Sequence, residues 1–198
     1  MAKIDMEIVK QLRETTGLGM MDCKKALEET NGDIDKAIDL LRKKGASVAA
    51  KRAGKETHEG LVHAYIHPGS QVGVLVELSC ETDFVARTED IKKFAQDICL
   101  HIAAIKPLYL NEQDVDPKFL EHEREIIKGQ LADSGKPEKM IDQIVEGKVN
   151  KLYSEVCLLK QPFVKNDQLT VEQAVTELIG KTGENIKIRR FARFDVKA

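Results

Sequence analysis

Apolar residues in the first 45 positions recur at helical spacing. Ile4, Ile8 and Leu12, with Val9 beside them, predict a first helix. Gly17 and Gly19 interrupt it within T-G-L-G-M-M-D, leaving Met20 and Met21 in a Gly-flanked loop. Residues 22–29 fit a second short helix with Ala26 and Leu27 inward. N-G-D at 31–33 reads as a turn. Asp33 then caps a third helix that carries Ile34, Ala37, Ile38 and Leu41 and stops near Gly45. Three short helices in about 45 residues predict a small bundle, marginal in size on its own. Residues 46–59 are Ala-rich and basic, with little to bury. They read as a helical or flexible linker and set a domain boundary, with 60–198 as the second part.

Past the linker the period changes. L-V-H-A-Y-I-H (61–67) alternates, P-G-S (68–70) turns, and V-G-V-L-V-E-L-S-C (72–80) is a β-run, so the pair predicts a hairpin. From Thr88 the helical period returns through Ile91, Phe94, Ala95, Ile98, Ile102 and Ile105, ending at Pro107. Asp116-Pro117 starts another helix to about Leu131, and S-G-K-P separates it from one over 138–153. Y-S-E-V-C-L-L (153–159) leads into a strand and a loop, Q-P-F-V-K-N-D-Q. Thr170 and Gln173 form a capping box for a helix to about Gly180. N-I-K-I-R-R-F-A-R-F-D-V closes the chain as a β-run. The expected class is α+β, with helices on one side of a small antiparallel sheet. T-D-F-V (82–85) and Q-P-F-V (161–164) form a faint internal echo.

Composition is that of an ordinary soluble globular chain, with 42% hydrophobic and 32% charged residues among 198. Lys plus Arg is 31 and Asp plus Glu is 33, a net charge of −2, which argues against a dedicated nucleic-acid binder. No apolar run approaches the roughly 20 residues of a membrane span. The N-terminus lacks a signal-peptide core, so the expected location is cytoplasmic. Cys23, Cys80, Cys99 and Cys157 are widely spaced and read as free thiols in or near cores.

The search for chemistry returns little. His63 and His67 lie about 13 Å apart in an extended strand, too far to share a metal at bonds of ~2 Å. The chain has no phosphate-binding G-x-x-x-x-G-K-[ST], no G-x-S-x-G elbow and no Cys-His nucleophile context. Glu121, Glu123 and Glu125 read as a solvated helix face. Lys187, Arg189, Arg190 and Arg193 read as a solvated sheet edge that deters edge pairing. An RNA surface is the competing reading, but no aromatic platform accompanies the charges. Two features remain open on residue chemistry alone. Met20 and Met21 either pack the bundle or form an adaptable binding surface. Asp83-Phe84 follows the 72–80 strand, where either Thr82 or Asp83 caps the next helix and Phe84 tucks under it, or Phe84 is presented outward.

T-G-L-G-M-M-D-C-K-K-A-L (16–27), N-G-D-I-D-K-A-I (31–38) and above all C-E-T-D-F-V-A-R (80–87) resemble the elongation factor Ts family. So do Q-P-F-V and the closing R-F-A-R-F-D-V. The resemblance covers essentially the whole chain. It implies that 1–45 form a ubiquitin-associated-like three-helix domain and 60–198 the family's core. It implies elongation factor Tu, a translational GTPase, as partner, and nucleotide exchange with no cofactor and no covalent chemistry. Thr82, Asp83, Phe84 and Val85 match the segment that disrupts the partner's magnesium site, with Phe84 as an apolar wedge. Leu12, Met20 and Met21 match the N-terminal docking surface. The chain is short for the family, which implies a homodimer in a two-plus-two complex. Ala192 stands where some short members have a cysteine able to bridge subunits. Two other readings compete: a ubiquitin-associated-type binding module without exchange activity, for which the Asp83-Phe84 pair is superfluous, and a small RNA-binding protein.

Overall fold

The structure, a computed structural model, describes residues 4–131 and 137–197. It divides into two compact units, neither continuous in sequence. One is Met1–Leu61 with Ser79–Ile91 and Val175–Lys187; the other is Val62–Leu78 with Lys92–Ala174 and Ile188–Ala198.

In the first unit, Asp5 accepts the Glu7 N–H and opens α1 (Met6–Thr16). Gly17 closes it in left-handed backbone, φ 66°, with its N–H on the Arg13 carbonyl. Helix α2 (Met20–Glu29) starts at Met20 rather than Asp22. The Gly19 carbonyl takes the N–H groups of Asp22 and Cys23, so Met20 and Met21 form a helical first turn and not a loop. Asp33 caps α3 (Ile34–Arg52) by accepting the Lys36 N–H at 3.0 Å, and it also meets the Lys36 ammonium at 2.8 Å. These two contacts with Lys36 hold the Asp33 carboxyl below its ordinary value. Val9, Leu12, Cys23, Ala26, Leu27, Ala37 and Leu41 make the buried cluster of the three helices, with Ile4, Ile8, Leu18 and Met20 packed against it.

Helix α3 does not stop at Gly45, as the sequence predicts, but runs on to Arg52. Gly45 serves a different purpose. A Cβ built on Gly180, in α8 (Val171–Thr182), would lie 2.7 Å from the Gly45 Cα. The two helices cross backbone to backbone there: position 180 has no room for a Cβ, whereas one on Gly45 would meet the Gly180 Cα at an ordinary 3.7 Å. The Ala-rich sequence beyond Gly45 continues the helix because alanine is the best helix former.

A three-stranded sheet of order β1-β2-β5, formed by Glu59–Ile66, Val72–Cys80 and Ile186–Asp195, has most of its residues in the second unit. The hairpin turn uses left-handed Gly69 and Ser70, and the His67 N–H bonds the Val72 carbonyl. At this same end the Val196 N–H bonds the Gln71 carbonyl, which sets the end of β5 beside the start of β2. Val74, Val76 and Leu78 alternate inward along β2. Phe94, Ala95, Ile98 and Ile102 form the buried stripe of α5 (Glu89–Ile105).

Helices α6 (Pro117–Leu131) and α7 (Glu138–Val156) share a small cluster of Ile127, Val145 and Val149. The S-G-K of the expected separator between them lies outside the described residues. The Q-P-F-V loop is itself a two-stranded antiparallel ribbon, β3 (Pro162–Phe163) with β4 (Asn166–Thr170). Thr170 and Gln173 form the expected capping box: the Gln173 N–H bonds the Thr170 hydroxyl and the Thr170 N–H bonds Gln173 Oε1. The α+β class stands, as mixed helices and small sheets.

Candidate functional site

C-E-T-D-F-V-A-R leaves β2 and turns at once into α4 (Asp83–Ala86), a single helical turn capped by Thr82. Two carboxylates fix its base. Glu184 accepts the Thr82 backbone N–H at 3.0 Å and the Thr82 hydroxyl at 2.6 Å. With its proton committed to Glu184, the hydroxyl turns a lone pair to the Val85 N–H at 3.5 Å. The Thr82 carbonyl accepts from the Cys80 thiol at 3.1 Å. Burial first, and then the Glu184 charge, push that thiol up, so it remains a donor at neutral pH. Glu81 meets Arg52 at 3.2 Å and accepts the Asn185 N–H at 2.6 Å. The buried Asn185 amide in turn donates to the carbonyl of Lys55 at 2.7 Å. The start of the turn is therefore tied to both the end of α3 and the loop after α8.

On this base, Phe84 is 80% exposed. It does not tuck under the next helix, as the local reading allows. Full burial of a phenylalanine side chain is worth about 1.5–3 kcal/mol, a gain this fold forgoes. Asp83 is half-buried and pairs with Arg87 at 2.8 Å along the turn. Val85 is half-buried, and Ala86 is buried and seats the turn. The echo segment behaves oppositely. Phe163 is buried, with its ring 6.2 Å from those of Phe94 and His101.

The N-terminal candidates separate. Met21 is 62% exposed and Met20 is half-buried against the three-helix cluster. Leu12 has no exposure at all, so its side chain supports a surface from beneath rather than forming one. Met20, Met21 and Phe84 belong to the same compact unit. Within it, Lys181 of α8 reaches Asp90 at 2.6 Å, and a Cβ on Gly17 would sit 3.1 Å from the Lys181 ammonium.

The remaining expectations resolve locally. His63 bonds Gln96 at 2.7 Å and His67 bonds the Tyr65 hydroxyl at 2.9 Å. Among the described residues no group of His, Cys, Asp or Glu is placed to hold a metal ion. All four cysteines are free and buried, and burial pushes the Cys99 thiol up to about 12. Of the basic residues on edge strand β5, Arg190 pairs with Glu77, and Arg193 with Asp195 at 2.7 Å. Sequence reasoning missed Glu184, Asn185, Glu81 and Arg52. The K-T-G-E-N stretch shows a helix-ending glycine followed by a carboxylate, but nothing local names its partner at Thr82.

These features define an α+β protein whose most conspicuous element is a rigidly based contact turn carrying an outward aromatic. Comparison with known proteins gives the family. The Elongation factor TS family model matches residues 6–178. Elongation factor Ts of Carboxydothermus hydrogenoformans is 55% identical over 193 residues, 98% of this chain and 89% of that protein. Elongation factor Ts of Thermoanaerobacter sp. is 55% identical over 97% of this chain and 94% of its own length. The protein of the same name from Syntrophus aciditrophicus is 54% identical over 98% and 96%. The chain belongs to the elongation factor Ts family, which acts in translation elongation. No helix among the described residues is long and apolar enough to cross a membrane.

Proposed function

We propose that this chain is a guanine-nucleotide exchange factor, without covalent chemistry or cofactor of its own, that binds elongation factor Tu in its GDP state and speeds GDP release. The observation that carries the reading is Phe84, held 80% exposed on a turn whose capping Thr82 is bonded through both its N–H and its hydroxyl to Glu184. An aromatic anchor on a pre-ordered turn loses little conformational freedom on docking. Buried in a partner it supplies about 2–4 kcal/mol, the scale of interface hot spots. Thr82, Asp83, Phe84 and Val85 are the element that disturbs the partner's magnesium and phosphate site. Magnesium neutralises phosphate charge in such GTPases, so its loss weakens nucleotide binding.

Met20 and Met21 are the second docking element, on a ubiquitin-associated-like domain of residues 1–45 joined through 46–59 to the core of 60–198. Leu12 holds that element up from within. Contacts made better in the disturbed state than in the nucleotide-bound state drive the shift. Coupling is reciprocal, so rebound nucleotide weakens the factor's grip by the same ratio and releases it. The factor works in the cytoplasm as a homodimer, two copies with two GTPases. Its support is an outward apolar set on the sheet: Val62 and Ile66 of β1, Leu75 of β2 and Phe194 of β5.

Stopped-flow release of fluorescent GDP from elongation factor Tu, in millimolar magnesium, tests the function. Acceleration by added factor is the expected result. No acceleration at any factor concentration, with folded proteins, contradicts it.

A further inference from the structure

We propose that Glu184 is the positioning residue of the exchange turn, acting on the partner only through Thr82 and the pose of Phe84. The inference rests on the exchange reading above. A four-residue helix cannot hold its own conformation, because one turn gains too few hydrogen bonds to offset nucleation. Some tertiary contact must fix α4. Beside the Cys80 thiol on the Thr82 carbonyl and the Glu81 contacts one residue earlier, two bonds take up the donors of Thr82 itself, and both end on one carboxylate. Glu184 takes the Thr82 N–H and the Thr82 hydroxyl, at 3.0 and 2.6 Å. Charge-assisted bonds of this kind are about twice as strong as neutral ones.

The local sequence delivers Glu184 to that place. Gly183 ends α8 in left-handed backbone, φ 75°, its N–H on the Ile179 carbonyl. The Glu184 N–H rests on the Thr182 hydroxyl, and Asn185 is anchored on Glu81 and Lys55. The backbone that carries Glu184 is thus fixed before its side chain grips Thr82. Among the described residues, the carboxylate's hydrogen-bond partners are the Thr82 N–H and the Thr82 hydroxyl. Without it, the Thr82 hydroxyl is free to rotate its lone pair away from the Val85 N–H, and α4 frays with Phe84 on it.

The test is a double-mutant cycle on GDP release with the full chain and elongation factor Tu. Glu184→Ala slows release at saturating factor roughly tenfold, while the factor concentration giving half-maximal rate changes little, because Met20, Met21 and the three-helix cluster are untouched. Glu184→Gln, which keeps one acceptor oxygen, recovers part of the rate. In a Phe84→Ala background, Glu184→Ala has no further effect. Amide hydrogen exchange at Val85 and Ala86 rises in Glu184→Ala without partner present. Should Glu184→Ala not fold, Glu184→Gln carries the same cycle. A wild-type rate for the Glu184 variants, or an effect that adds in full to that of Phe84→Ala, overturns the positioning role and leaves the exchange reading standing. A wild-type rate for Phe84→Ala itself overturns the exchange site, and the positioning role falls with it.

Discussion

His101 shows how a single buried side chain sets both a local shape and a pH response. It has no exposure, its Nε2–H donates to Gln161 Oε1 at 2.8 Å, and its Nδ1 accepts the Val164 N–H at 3.2 Å. That pair of bonds requires the neutral ring. Burial holds the imidazole below its ordinary 6.5, against a smaller opposing pull from the Gln161 bond. The unfolded chain protonates near 6.5 and the folded chain only at lower pH. Below 6.5 the unfolded state therefore binds more protons, and stability falls as pH falls. Urea midpoints at about pH 7.5 and about pH 5.5 bracket the window in which a histidine titrates. The midpoint drops at the lower pH, and His101→Gln flattens that drop. An equal drop in the variant contradicts the assignment. At this scale the sequence was half legible. C-E-T-D-F-V-A-R marks the turn, but whether Phe84 points in or out depends on Glu184, which local pattern does not connect to Thr82. Likewise Q-P-F-V looks like T-D-F-V in one dimension, yet Phe163 packs inward against His101.

Helical periodicity located most elements, and the capping residues Asp33 and Thr170 mark the starts of two because cap chemistry is local. Glycine was the ambiguous sign. Gly17 ends a helix, whereas Gly45 lies inside one, at the crossing with Gly180. A helix-ending glycine and a close-approach glycine read alike until the second helix is placed. The distinction makes a paired prediction. Gly180→Ala puts a methyl 2.7 Å from backbone that cannot yield, and destabilises the protein by about 1–3 kcal/mol. Gly147→Ala, in α7 with nothing within 4 Å of the added carbon, stabilises it by about 0.5–1 kcal/mol. Thermal unfolding of both variants checks the signs; a Gly180→Ala protein as stable as wild type contradicts the crossing.

At the scale of the whole molecule, alternation and composition are legible as α+β, but the compact units are not. Each gathers three separated stretches, and chain order gives no notice that 79–91 and 175–187 join the N-terminal helices. That grouping matters because it puts Met20, Met21 and Phe84 in one unit, which supports the proposed two-point grip on one GTPase. In the proposed homodimer the outward apolar residues of the sheet form the seam. Light scattering gives twice the chain mass for the wild type, and Val62→Asp with Phe194→Asp gives a monomer that keeps its helical signal. A wild-type protein that is monomeric at all concentrations contradicts the homodimer.

The central claim is that the Phe84 turn drives exchange. Its most direct test compares GDP release from elongation factor Tu at saturating wild-type factor and at saturating Phe84→Ala. The account predicts a folded variant that binds but loses most of the acceleration, a loss of roughly 30-fold or more for a hot spot of ~2 kcal/mol or above. A folded Phe84→Ala that releases GDP as fast as wild type contradicts it.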